Sequence, residues 1–306
     1  MTDGGPVDLA VVGSVGIDAI ETPHAKRDHL LGGSATYACA AASFFARPGL
    51  VGVVGDDFGP DRAEALRAFG IDLAGLRTES GSTFFWSGVY EDNMDRRSTR
   101  VTELGVFENF RPDLPEAYRD APFVLLGNMH PQLQLDVLDQ IRNPRFVAAD
   151  TMDLWISTTH RQLMEVLARV DLLTLNETEA QQLTGEHGFV RAAVALLEAG
   201  PAYVLVKKGA HGSMLVTRAS RFILPAYPVE EVTDPTGAGD TFAGAMMGAL
   251  AAGGEVSEPA LRRAMVAGTV VASFGVQDFS LDALRPLDRA RIQGRIDDFR
   301  RMLAVD

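Results

Sequence analysis

The chain has 306 residues, 46% hydrophobic and 23% charged, with a formal net charge of −13 and a single cysteine. That length can bury a large core, and the composition is neither disordered nor fibrous. The acidic balance argues against a broad footprint on DNA or RNA, which needs clustered Lys and Arg, and a lone Cys39 can build neither an internal disulfide nor a multi-cysteine metal site. The start "MTDGGPVDLA" has no basic region leading into an apolar stretch, and no apolar run reaches bilayer-spanning length. A cytoplasmic location with no membrane partner is therefore expected.

In chain order, "DLAVVGS" reads as the first buried strand, with Asp18 shortly beyond it and a further extended segment near Ile17 to Ile20. "SATYACAAASFFA" has helical spacing and carries Cys39 as a small core residue; "LVGVVG" is a strand and "DRAEALRAFG" a helix. From Thr83 to Val106 the pattern changes to two-residue alternation on either side of a polar turn, which predicts an exposed hairpin. Strand and helix then alternate through "FVLLGN", "QLQLDVLDQIR", "RFVAAD", "HRQLMEVLARV", "DLLTLN", "FVRAAVALLEAG" and "AYVLVKKG". Such alternation predicts βαβ units: a doubly wound, mostly parallel α/β sheet with helices on both faces. We expect one unit over residues 1–306, with segments near 15–24 and 83–106 forming a small β-sheet lid whose surface is also a candidate contact between two copies. Ligands of such sheets gather beyond the carboxyl ends of the strands, which brings Asp18, Asn128, Asp150, Asn176 and Lys208 toward one crevice.

The stretch "EVTDPTGAGDTFAGAMMGAL" carries the strongest local signal. A strand-like end at Glu231 to Thr233 runs into Asp234 and Pro235, and Gly237 and Gly239 then permit a turn that opens a helix from Asp240. The first N–H groups of a helix lack internal partners and carry partial positive charge, so this turn is a natural anion cradle. Asp240 either complements the helix dipole or does chemistry. In "NETEA", Asn176 and Glu179 have the spacing of a capping box, which needs no ligand. The motifs GxxxxGK[ST], HExxH and GxSxG are absent.

Together, the double glycine at Gly32 and Gly33, N-x-x-E at Asn176 to Glu179 and D-x-T-G-A-G-D at Asp234 to Asp240 resemble the ribokinase-like, or PfkB, family of carbohydrate and nucleoside kinases. The resemblance spans nearly the whole chain. It implies an ATP-dependent, Mg²⁺-assisted phosphotransferase acting on a hydroxyl of a sugar, polyol or nucleoside. Asp240 would be the base, and Gly237, Ala238 and Gly239 the anion hole. It puts Asn176 and Glu179 near the metal–nucleotide phosphates, with Glu179 organising Mg²⁺, often through water. Lys207, Lys208 and Gly209 resemble the nucleotide-binding turn, Thr236 belongs to the same side, and Val271 in "AMVAGTVVASFG" corresponds to the adenine-pocket wall.

For the acceptor, the resemblance points to Asp18, Gly32 and Gly33, with Asn128 and Asp150 among the strand-end polar groups. Many ribokinase and adenosine kinase sequences carry Asn four residues after the second glycine, where this chain has Tyr37, so ribose or adenosine specificity does not transfer directly. The hairpin adds Trp86 and Tyr90 as aromatics that could stack on a base or cover a sugar, and Arg96, Arg97 and Arg100 as a basic tip; Arg100 is the candidate anion contact. A ligand-binding regulator on the same fold is the contrasting class, against which the intact Gly237, Gly239 and Asp240 speak.

Overall fold

The apolar runs become strands buried on both faces. The structure, a computed structural model, describes residues 4–94 and 96–304. In it β1 (Leu9–Val12) sends Leu9 and Val11 into one core and Ala10 and Val12 into another. Alternation with no polar face is what a parallel sheet between two helical layers requires.

The chain continues through β2 (Gly16–Glu21), β3 (Lys26–Gly32), α1 (Ser34–Ala42), β4 (Pro48–Val54), α2 (Pro60–Ala68) and β5 (Asp72–Thr78). The hairpin follows as β6 (Phe84–Tyr90) and β7 (Arg97–Glu103). Next come β8 (Phe123–Leu126), α3 (Pro131–Leu138), β9 (Phe146–Asp150), α4 (Asp153–Thr158), α5 (His160–Leu167), β10 (Leu172–Asn176), α6 (Glu177–Thr184), α7 (Phe189–Leu196) and β11 (Tyr203–Lys207). The C-terminal part comprises β12 (Ser213–Val216), β13 (Arg221–Leu224), α8 (Ala238–Gly253), α9 (Glu258–Gly275) and α10 (Arg289–Leu303).

A nine-stranded sheet has the order β13-β12-β11-β10-β9-β8-β1-β4-β5, parallel except where β12 and β13 run antiparallel at one edge. The winding reverses direction between β1 and β8, and a crevice opens beyond the carboxyl ends of such strands. A separate four-stranded sheet, β3-β2-β6-β7, takes β2, β6 and β7 from the two segments expected to make it and adds β3. Its members β3, and β5, β12 and β13 of the large sheet, lie outside the expected strands. Glu231 to Thr233 is not a strand: the Thr233 and Asp234 N–H groups donate to the Val276 carbonyl at the end of α9 instead of to a neighbouring strand.

Helices α1 and α8 approach closely because their facing residues are small. A Cβ on Gly244 would collide with the Ala38 carbonyl, and Gly248 lies against Ala42 in the same way. Every residue of α1, Cys39 included, is buried. This contact carries the N-termini of both helices to the crevice. Among the described residues no helix is long and apolar enough to cross a membrane.

Candidate active site

The Asp234 to Asp240 turn is pinned from within and from below. Asp234 Oδ1 accepts from the Thr236 N–H at 2.9 Å, and Gly237 takes φ of 72°, a left-handed conformation that favours glycine. A Cβ at Gly237 would run into the Tyr37 ring, so Tyr37 forms the floor of the turn. Helix α8 begins at Ala238 with no side-chain cap; the Ala238 N–H donates to the Pro235 carbonyl at 3.2 Å, and the positive end of the helix points out of the turn, where an anion is favoured.

Asp240 sits in the first turn of α8, half-buried, its carboxyl accepting a bond from its own N–H. Burial pushes its pKa up to about 6; Asp150 adds to the rise, while Lys207 and Arg97 oppose it. Asp240 is thus ionised at neutral pH yet basic enough to take a proton.

The end of β11 supplies the nearby cation. Lys207 Nζ donates to both oxygens of Asp150, at 3.0 and 2.7 Å, and Asp150 at the end of β9 is 5% exposed. Burial works against the ammonium, but Asp150 and Glu179 outweigh it and hold Lys207 above the ordinary lysine range. Gln134 fixes the two strand ends, its Nε2 donating to the carbonyls of Gly127 and Asp150. Asn176 and Glu179 form the complete capping box: Asn176 Oδ1 accepts from the Glu179 N–H at 2.8 Å and Glu179 Oε2 from the Asn176 N–H at 2.7 Å. Burial raises Glu179 to about 7; Lys207 counters this, and Asp150 adds to it. Lys208 instead faces Glu177 at 3.7 Å and lies over the Phe189 ring, while Gly209 opens a short turn at φ of 53°. Among the described residues no three carboxylate, His or Cys groups close around an ion. Glu179 and Asp150, both acting on Lys207, offer hard oxygens in the small number that Mg²⁺ uses when it keeps waters and takes phosphate oxygens.

On the other side of Asp240 a cleft of about 680 Å³ opens, with Asp18, Gly33, Tyr37, Trp86, Asn128 and Thr236 on its walls. Asp18 comes from β2, and Gly32 packs so tightly on its carboxylate that no side chain fits there. Gly33, at φ of 97°, also has no room for a side chain, because a Cβ there would lie 2.5 Å from the Ser14 carbonyl oxygen. Burial lifts Asp18 to about 8, helped by Asp234 and Asp240 and opposed by Arg97. Asn128 Oδ1 accepts from Trp155 Nε1 at 2.9 Å. Trp86 folds over Gly88, donates from Nε1 to Thr99 at 3.3 Å and lies beneath the Arg97 guanidinium.

Three expected site residues lie elsewhere. Asp150 is engaged by Lys207 and is not on the acceptor cleft wall. Arg100 is paired with Glu21 at 2.7 Å, away from the cleft, because it is the extra residue of a bulge: Ser87 pairs Val101 and Gly88 pairs Thr99. Val271 is fully buried in the core. Conversely, Arg97, Phe84, Phe107, His130 and Trp155 line the cleft without having been singled out as its contacts. Trp155 had one readable signal, an indole five residues after the strand-end Asp150.

A doubly wound sheet with a glycine turn at a helix start, presenting an ionisable acid to a cleft lined largely by apolar and aromatic side chains, fits a phosphotransferase with an alcohol acceptor. Residues 8–283 match the pfkB family of carbohydrate kinases, and the chain belongs to that family. The cytidine kinase of Thermococcus kodakarensis is 31% identical over 264 residues, 82% of this chain and 91% of the relative. The ribokinase of Bacillus subtilis is 28% identical over 302 residues, 88% and 94% of the two chains. Arabidopsis thaliana ribokinase, solved with ribose and ATP, has a TM-score of 0.76 at 25% identity, covering 95% of this chain and 99% of its own. The chain is accordingly an ATP-dependent carbohydrate-kinase-type phosphotransferase.

Proposed function

We propose that Asp240 removes the proton from a sugar or polyol hydroxyl held beside Asp18, and that the hydroxyl oxygen accepts the γ-phosphoryl group of ATP as the bond to ADP breaks. The observation that carries this reading is the position of Asp240, on the cleft wall and in the uncapped first turn of α8. Phosphoryl transfer asks a protein mainly to position reactants and stabilise spread charge. The helix start at Gly237 to Gly239 would meet that charge with its positive end, and Lys207 adds a cation beside Gly239. Asn176 and Glu179 would hold the metal–phosphate side with Asp150, Lys208 and Gly209 near the nucleotide; Mg²⁺, when bound, neutralises phosphate charge. The small sheet acts as a lid, bringing Trp86 and Arg97 over the acceptor.

A nucleoside acceptor is a second reading, favoured by the aromatic far half of the cleft, where Phe107, His130 and Trp155 could flank a base. The 31% identity to a cytidine kinase points the same way.

The test is ATP consumption with ribose, inositol, adenosine and cytidine across a Mg²⁺ titration, with wild type and Glu179→Gln. Turnover with at least one acceptor is expected, with the variant needing more Mg²⁺ while glutamine preserves the cap. No turnover with any acceptor would count against the reading, and superimposable titrations would reduce Glu179 to its capping role.

A further inference from the structure

Tyr90, the last residue of β6, is 7% exposed and packs with Ile20 and Phe279 in the small sheet's own core. Its hydroxyl does not stay in that core: it lies 3.0 Å from Thr236 Oγ1, and Arg97, its register partner on β7, also hydrogen-bonds to it. Thr236 immediately precedes the left-handed Gly237, and its N–H already donates to Asp234. The strand that brings Phe84 and Trp86 to the acceptor cleft therefore ends on the turn that carries the anion cradle.

We propose that Tyr90 is a positioning residue, fastening the small sheet to Thr236 so that the Gly237 to Gly239 turn holds its geometry toward the donor phosphate when the sheet covers the acceptor. The inference rests on the phosphotransfer reading above. The turn has a floor in the Tyr37 ring and an internal tie in Asp234, and Tyr90 is its tie to the sheet. Other ties attach the sheet elsewhere: Arg27 pairs with Asp282 at 3.2 Å, and Ser280 Oγ donates to the Leu31 carbonyl. Losing the Tyr90 hydroxyl should thus loosen the turn without detaching the sheet.

The test is Tyr90→Phe, which keeps the ring and its packing. Amide hydrogen exchange at Thr236, Gly237 and Ala238 should quicken by about threefold to tenfold, the range one net hydrogen bond carries, with the β6 amides unchanged and the Tm lowered by no more than a few degrees. With ATP and either ribose or cytidine, kcat should fall by a similar factor while the acceptor KM holds within about twofold. Thr236→Ser should retain wild-type exchange, and Tyr90→Phe should add nothing in a Thr236→Val background. Unchanged exchange in Tyr90→Phe, or full additivity with Thr236→Val, would overturn the proposal. Should wild type act on neither acceptor, that result bears on the phosphotransfer reading, and the exchange measurement alone decides the role of Tyr90.

Discussion

Asp18 illustrates what a buried site acid costs. It is 3% exposed and lifted to about 8, chiefly by burial and then by Asp234 and Asp240. Between the ordinary 3.8 of a free Asp and about 8 the folded chain holds a proton that the unfolded chain releases, so this contribution to stability is full at low pH and is lost as pH rises through that window. Asn at the same position does not titrate. Asp18→Asn should therefore gain in Tm relative to wild type as pH rises from about 4 toward about 8 and level off above that, while acceptor KM rises. Melting curves across that range check this; a difference that stays constant with pH would show that burial of the charge is not what Asp18 contributes. At the same scale, some placements at the cleft were readable and some were not. Asp240, Gly237 and Asp18 follow from type and order in the sequence. The exchange of Arg100 for Arg97 does not, because one bulged residue reverses which side chains of β7 face inward. Nor does the engagement of Asp150 by Lys207, since adjacent lysines at a strand end differ only in the face each presents.

Among the elements, the pair α1 and α8 does most to assemble the site. Their small facing residues bring Gly33, at the start of one, and Gly237, at the start of the other, to the same cleft. Adding one methyl group at Gly244 would force it into the Ala38 carbonyl. Overpacking of this kind costs about 1–3 kcal/mol, and each kcal/mol is worth about 2–4 °C in a chain of roughly this size. Gly244→Ala should lower Tm by several degrees and turnover with it; an unchanged Tm would mean that the two helices part without penalty. The buried parallel strands were legible because their apolar runs are short and bounded. Strand β3 was not, since "KRDHLLG" is charged and mostly exposed, and the β12 and β13 edge pair is only four residues a strand. These edges owe their form to a neighbouring strand rather than to local pattern.

For the whole molecule, the winding reversal between β1 and β8 sets one crevice, and the side chains divide it. Lys207, Asp150 and Glu179 occupy one side of Asp240, and Asp18, Tyr37 and the aromatic cleft occupy the other. In a chain of net charge −13, the groups proposed to meet phosphate are a local helix-start turn and one half-buried ammonium. The division makes Asp240, standing between the two sides, the group on which the account depends. With its pKa at about 6, kcat/KM should rise with pH through that value as the base loses its proton. The most direct measurement is the turnover of Asp240→Asn beside its affinity for ATP. The account predicts a loss of turnover of about 10²- to 10⁴-fold with ATP binding preserved; turnover within a few-fold of wild type would contradict it and leave Asp240 as a helix-terminal charge.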